Sequence, residues 1–187
     1  MDPKIQNTAL LVMDMQTSIL QRLPDPSIFI ANVGKAITYA RSLDIPVLFI
    51  IVGFRQGAPE LNMNNKGNTL SRESLINANM EEWMKIEPAI SPNPGEIVII
   101  KRRISAFTGS DLEVVLRAFG IQHMVLSGIT TSGVVLSTVR EAADKDFRLT
   151  VLSDCCADPD QEVHRVLTTK IFPRQAGVFA LEEWINQ

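Results

Sequence analysis

Cysteine is almost absent from this chain: there are two in 187 residues, Cys155 and Cys156, and they are neighbours. Adjacent cysteines can close only a strained vicinal disulfide, so no disulfide framework is available and a reducing cytoplasm is the expected compartment. Histidine is as scarce, and both copies, His123 and His164, read as structural. No block of basic residues occurs; Lys101-Arg-Arg103 is the densest stretch, and a net charge of −3 argues against a nucleic-acid or membrane surface. No apolar run approaches the ~18 residues that would cross a bilayer. The opening Met1-Asp-Pro-Lys4 leads straight into a strand pattern, so no signal peptide is expected. Internal repeats and low-complexity segments are also missing.

What remains is a chain with 45% hydrophobic and 21% charged residues, the mix of an ordinary globular domain. Its length fits one domain over 1–187. Short apolar runs at 8–13, 46–52, 97–100, 123–127, 148–153 and 177–180 predict strands. Most are continuously apolar, which fits a parallel sheet buried on both faces. Between them, helical spacing covers 26–43, 111–119, 132–146 and 160–171. Pro26 suits a first turn, Gly120 a C-cap, Ser132 the start of the third helix, and Asp158 or Asp160 the start of the fourth. Strands alternating with helices predict a doubly wound, three-layer α/β/α fold. The stretch 54–93 breaks this rhythm, with two short helical patterns at 72–77 and 80–85. It leaves the C-terminal end of a strand, where such sheets bind ligands, and reads as a lid or specificity insertion, or else as an oligomer contact.

Three strand ends carry the candidate chemistry. Asp14 closes Thr8-Ala-Leu-Leu-Val-Met-Asp14, with Gln16 just beyond it. Lys101 closes Glu96-Ile-Val-Ile-Ile-Lys101, and a lysine there either snorkels to solvent or faces an anion. The third run opens at Gly128 into a strand-to-helix turn whose first N–H groups are available to a developing oxyanion, unless it is a plain βα-turn. A nearby lysine would lower the Asp14 pKa and burial would raise it.

Leu10-Leu-Val-Met-Asp-Met-Gln16, Ile100-Lys-Arg-Arg-Ile-Ser-Ala-Phe107, Gly128-Ile-Thr-Thr131, Thr138-Val-Arg-Glu-Ala142 and Asp154-Cys-Cys-Ala157 with His164 follow one another in order. In these pieces the chain resembles the isochorismatase-like hydrolases, which include nicotinamidases, N-carbamoylsarcosine amidases and isochorismatases. The resemblance implies a six-stranded parallel sheet of order 3-2-1-4-5-6 and a cis peptide near Ile129-Thr130. It places the family's aspartate at Asp14 and its lysine at Lys101, and puts the nucleophilic cysteine at Val134. Valine has no lone pair, so the thioester route to amide hydrolysis is closed. Nicotinamidases also bind a metal after the second strand, but 51–57 has no histidine here, so neither metal nor other cofactor is expected.

Isochorismatases can lack the cysteine, because a vinyl ether needs only protonation at carbon and attack by water. The resemblance then implies Asp14 as general acid and Lys101 as its electrostatic partner. Gln16, Arg55 and Arg102, with Thr130 and Thr131 of the turn, become substrate contacts. Phe107 becomes a pocket wall or a core residue, and Arg140 a tie to a carboxylate. Three readings stay open: a cysteine-free hydrolase of a small polar or anionic metabolite, a small-molecule- or protein-binding module that has lost turnover, and an amidase using Cys155 or Cys156. A homodimer or homotetramer is expected from the resemblance.

Overall fold

The computed structural model describes residues 6–186, the side chains of 68–71 excepted. The opening 1–5, read above as carrying no signal peptide, lies outside the described residues. Six strands form one all-parallel sheet in the order β3-β2-β1-β4-β5-β6. They are β1 (Thr8–Met13), β2 (Val47–Val52), β3 (Ile97–Lys101), β4 (His123–Ile129), β5 (Arg148–Ala157) and β6 (Gly177–Phe179). β1 and β4 are central and buried along their whole length, which is why their sequences read as unbroken apolar runs.

Helices cover both faces. On one side α1 (Thr17–Leu20), α2 (Ser27–Ser42) and α8 (Leu181–Ile185) bury Phe29, Val33, Ile37 and Trp184 against Leu10, Val12 and Phe49. On the other, α5 (Leu112–Ala118) and α6 (Leu136–Asp144) bury Leu112, Leu116 and Val139 against Leu11, Met13 and Ile50. The alternation of side-chain direction along each strand divides the two cores. α7 (Gln161–Val166) follows β5. The segment between β2 and β3 contains α3 (Lys66–Ile76) and α4 (Met80–Trp83) and has a small core of its own, Phe54, Ala58, Leu75 and Met80.

Several local expectations are corrected. Ser132 does not cap its helix: the chain first makes a π turn, Thr131–Val135, and α6 begins at Leu136. Both the Ser132 N–H and its hydroxyl donate to Asp158 Oδ2, at 2.8 and 2.6 Å. Asp160 caps α7, accepting from the N–H groups of Glu162 and Val163, and that helix gives way to a π segment at Leu167–Ile171. β5 runs on past the expected 153 to Ala157, so the two cysteines lie within the strand. Gly128, at φ +138°, pairs with Met13 across β1 and β4; a Cβ there would sit 2.1 Å from the Met13 carbonyl oxygen. Only glycine lets these two strands deliver Asp14 and the following turn side by side. No helix among the described residues is long and apolar enough to cross a membrane.

Candidate functional site

The C-terminal ends of β1, β3 and β4 open onto a cavity of about 300 Å³, lined by Asp14, Lys101, Thr130 and Val134. The segment between β2 and β3 supplies much of its apolar wall through Phe54, Leu61, Leu75 and Trp83. Asp14 leaves β1 with φ +55°, a turn that Asp tolerates better than most residues. Asp14 is 6% exposed and Lys101 is 2% exposed. Lys101 Nζ lies 2.9 Å from Asp14 Oδ2 and donates to the Arg103 carbonyl at 2.9 Å. Asp14 Oδ1 has no hydrogen-bond partner among the described residues.

Burial pushes the Asp14 pKa from an ordinary 3.8 up to about 6, outweighing the opposing pull of Lys101 and the smaller one of Arg22. The ammonium of Lys101 can only donate, and it holds Oδ2. A proton on this carboxyl therefore belongs on Oδ1, the oxygen without a partner among the described residues.

The nine residues expected to act on substrate separate in the structure. Asp14, Lys101, Val134, Arg102 and Thr130 line the cavity. Gln16, Arg55, Phe107 and Thr131 do not line it, and each has other work. The Gln16 carboxamide is fully buried and bridges three elements: Nε2 donates to Val52 O at 3.0 Å and Trp83 O at 2.8 Å, while Oε1 accepts from Val52 N–H at 2.8 Å. Arg55 is exposed and paired with Glu60 at 2.7 Å. Phe107 packs into the core against Phe147. Thr131 is buried with Oγ1 2.8 Å from His164 Nδ1, which ties α7 to the turn. Arg140 reaches the Gln175 amide oxygen and not a carboxylate. Of the turn's N–H groups, Ser132 gives its own to Asp158, and Gly133 and Val135 give theirs to Thr130 O, so these three are spent.

Neither cysteine reaches the cavity lining. Burial pushes both thiols up, Cys156 to about 12, so neither is a ready nucleophile. The peptide Ile129-Thr130 is cis. Among the described residues no three or more His, Cys, Asp or Glu side chains gather to hold a metal.

Two lining residues with polar groups, Arg22 and Trp83, were not singled out by the sequence. Arg22 lies in the turn after α1 and Trp83 ends the short helix α4, neither of them at a strand end. Trp83 Nε1 is buried and has no partner among the described residues. An unmet buried donor of this kind costs about 1–3 kcal/mol.

The isochorismatase domain model matches residues 8–183, nearly the whole chain. The chain belongs to the isochorismatase family. An uncharacterised isochorismatase family protein, YecD, from Escherichia coli O157:H7 is 33% identical over 184 residues, covering 97% of this chain and 96% of that one. The ureidoacrylate amidohydrolase RutB of Pseudomonas syringae is 28% identical over 201 residues, covering 96% of this chain and 78% of that one. Among solved structures, an isochorismatase family protein from Burkholderia thailandensis superposes with a TM-score of 0.83 at 26% identity, covering 95% and 93% of the two chains. The N-carbamoylsarcosine amidase of Thermoplasma acidophilum gives 0.77 at 25% identity, covering 94% and 96%. This isochorismatase-like hydrolase thus shares its fold with amidases.

Proposed function

We propose that this isochorismatase-like hydrolase cleaves a small anionic enol (vinyl) ether without a protein nucleophile. The observation that carries the reading is the buried Asp14–Lys101 pair in a cavity where Val134 occupies the position the resemblance gives to the cysteine. Asp14 Oδ1 delivers its proton to the terminal carbon of the double bond, whose π electrons form the new C–H bond. The oxocarbenium ion takes up water, and the resulting hemiketal collapses to a carbonyl compound and an alcohol, with a proton returned to Asp14. Lys101 keeps Oδ2 occupied, so that the acid proton stays on the oxygen facing the substrate. Four cations, Arg22, Lys101, Arg102 and Arg103, line the cavity against one carboxyl, which favours an anion.

The test is turnover of isochorismate and simpler enol ethers, beside nicotinamide and carbamoyl amides, by the native protein and by Asp14→Asn. The expected result is enol ether cleavage that the substitution lowers at least ~10²-fold, the lower end for a positioned acid. Full activity in Asp14→Asn removes the general-acid mechanism; hydrolysis of the amides alone removes the substrate class.

A further inference from the structure

Three of the four cations lining the cavity are already committed. Lys101 holds Asp14 and the Arg103 carbonyl. Arg102 donates to Gly53 O and lies 3.7 Å from Glu60. Arg103 donates to the carbonyls of Arg102 and Glu60. Arg22, in the turn after α1, makes no side-chain hydrogen bond or ion pair among the described residues. Its charge nevertheless reaches the floor of the cavity, where it is one of the groups drawing the Asp14 pKa down. A second group is also left unsatisfied. The Trp83 indole N–H is buried without a partner, while its own carbonyl is fixed by Gln16 Nε2 at 2.8 Å and Ser18 Oγ at 3.0 Å. Gln16 thus acts as a positioning residue that holds the tryptophan at the cavity wall.

A lone donor in an apolar wall needs a ligand oxygen, and an uncommitted guanidinium at the same cavity needs a negative charge. We propose that Trp83 and Arg22 are the specificity-determining residues of this cavity, and that its ligand is a small organic acid. One ligand oxygen accepts from Trp83 Nε1–H, and the negative charge lies in the field of Arg22. A cavity of about 300 Å³ limits the ligand to the size of a small metabolite. The proposal rests on reading this cavity as the catalytic site, but not on the chemistry performed there.

Binding of two acid–amide pairs, benzoate with benzamide and methacrylate with methacrylamide, tests it without turnover. Tryptophan fluorescence is read in a Trp184→Phe background, which leaves Trp83 as the single tryptophan, and calorimetry serves the variants that lack it. At least one acid is expected to bind about tenfold more tightly than its amide. Arg22→Gln should abolish that preference. Trp83→Phe, which keeps a ring but loses the N–H, should weaken the acid about five- to tenfold and leave the preference in place. Equal binding of acid and amide overturns the role of Arg22, and undiminished binding by Trp83→Phe overturns that of Trp83. No saturable binding of either acid overturns both. Acid binding that persists in Asp14→Asn, beside a native protein that cleaves no enol ether, refutes the proposed chemistry and leaves this subsite standing.

Discussion

Two buried groups at opposite ends of the sheet pull the stability of this protein in opposite directions as the pH falls. His123 opens β4 beside Thr8, while Asp14 follows the end of the adjacent β1, about 20 Å further along the strand direction. Arg148 can only donate, and its Nη2 lies 3.1 Å from His123 Nδ1. Nδ1 is therefore the acceptor, and the proton sits on Nε2, which faces Thr150 Oγ1 at 3.0 Å. Burial, with help from the Arg148 charge, pushes this histidine from 6.5 down to about 4. The folded state thus refuses a proton that the unfolded chain accepts, and stability held above pH 6.5 is lost as the pH falls toward 4. Asp14 has the opposite sign. Raised from 3.8 to about 6, it takes up a proton on folding and adds stability as the pH falls through that window. At ~1.4 kcal/mol per pKa unit each effect is worth about 3 kcal/mol, so the two nearly offset one another. Replacing His123 by Gln removes only the falling arm. Urea unfolding of both proteins at about pH 7.5 and about pH 4.5 gives the difference directly. Every other titrating group is common to the two chains and cancels. The variant should gain roughly 2–3 kcal/mol over the native protein between those two pH values. An unchanged difference would show that His123 does not fold in its neutral form, and the tautomer argument would fall with it.

The rate should follow the proton on Asp14: kcat/KM for an enol ether is flat below pH 6 and falls about tenfold per pH unit above it, and a rising limb at the same midpoint would make Asp14 a base. Native protein should resist iodoacetamide, because both thiols are buried and pushed up, whereas Val134→Cys should be alkylated at the cavity. Equal labelling of the two by mass spectrometry would refute that placement. Gly128→Ala forces a Cβ against the Met13 carbonyl and should cost upward of ~3 kcal/mol in urea unfolding; a loss under ~1 kcal/mol would contradict the close approach of β1 and β4.

The strands were legible because central parallel strands are apolar on both faces, as the runs 8–13 and 123–127 are. The place of Asp14 and Lys101 at the cavity was legible for the same reason, since each closes such a run at the edge where these sheets bind ligands. The residues that do not line the cavity share another cause. Gln16 and Arg55 can equally well satisfy backbone or a nearby carboxylate, and Val52, Trp83 and Glu60 are brought near them only by tertiary structure. Phe107 was ambiguous between wall and core, and its contact with Phe147 puts it in the core. Trp83 and Arg22 were silent because no strand end marks them: Trp83 lies in the short helical pattern 80–85, and nothing in that pattern says which residue meets the cavity. The π turn at Thr131–Val135 was hidden for want of any composition that distinguishes it from an α-helical start.

The segment between β2 and β3 rests on its own small core of Phe54, Ala58, Leu75 and Met80, and meets the rest of the molecule partly through one buried carboxamide, that of Gln16. The acid and its lysine, by contrast, are anchored in the hydrogen-bond ladder of the sheet. On the proposed reading, the acid and most of the cavity's apolar wall come from separable parts of the chain. A lineage can remodel the wall, residue by residue or by insertion, without moving Asp14, the proposed proton donor, and so explore new substrates around a fixed acid.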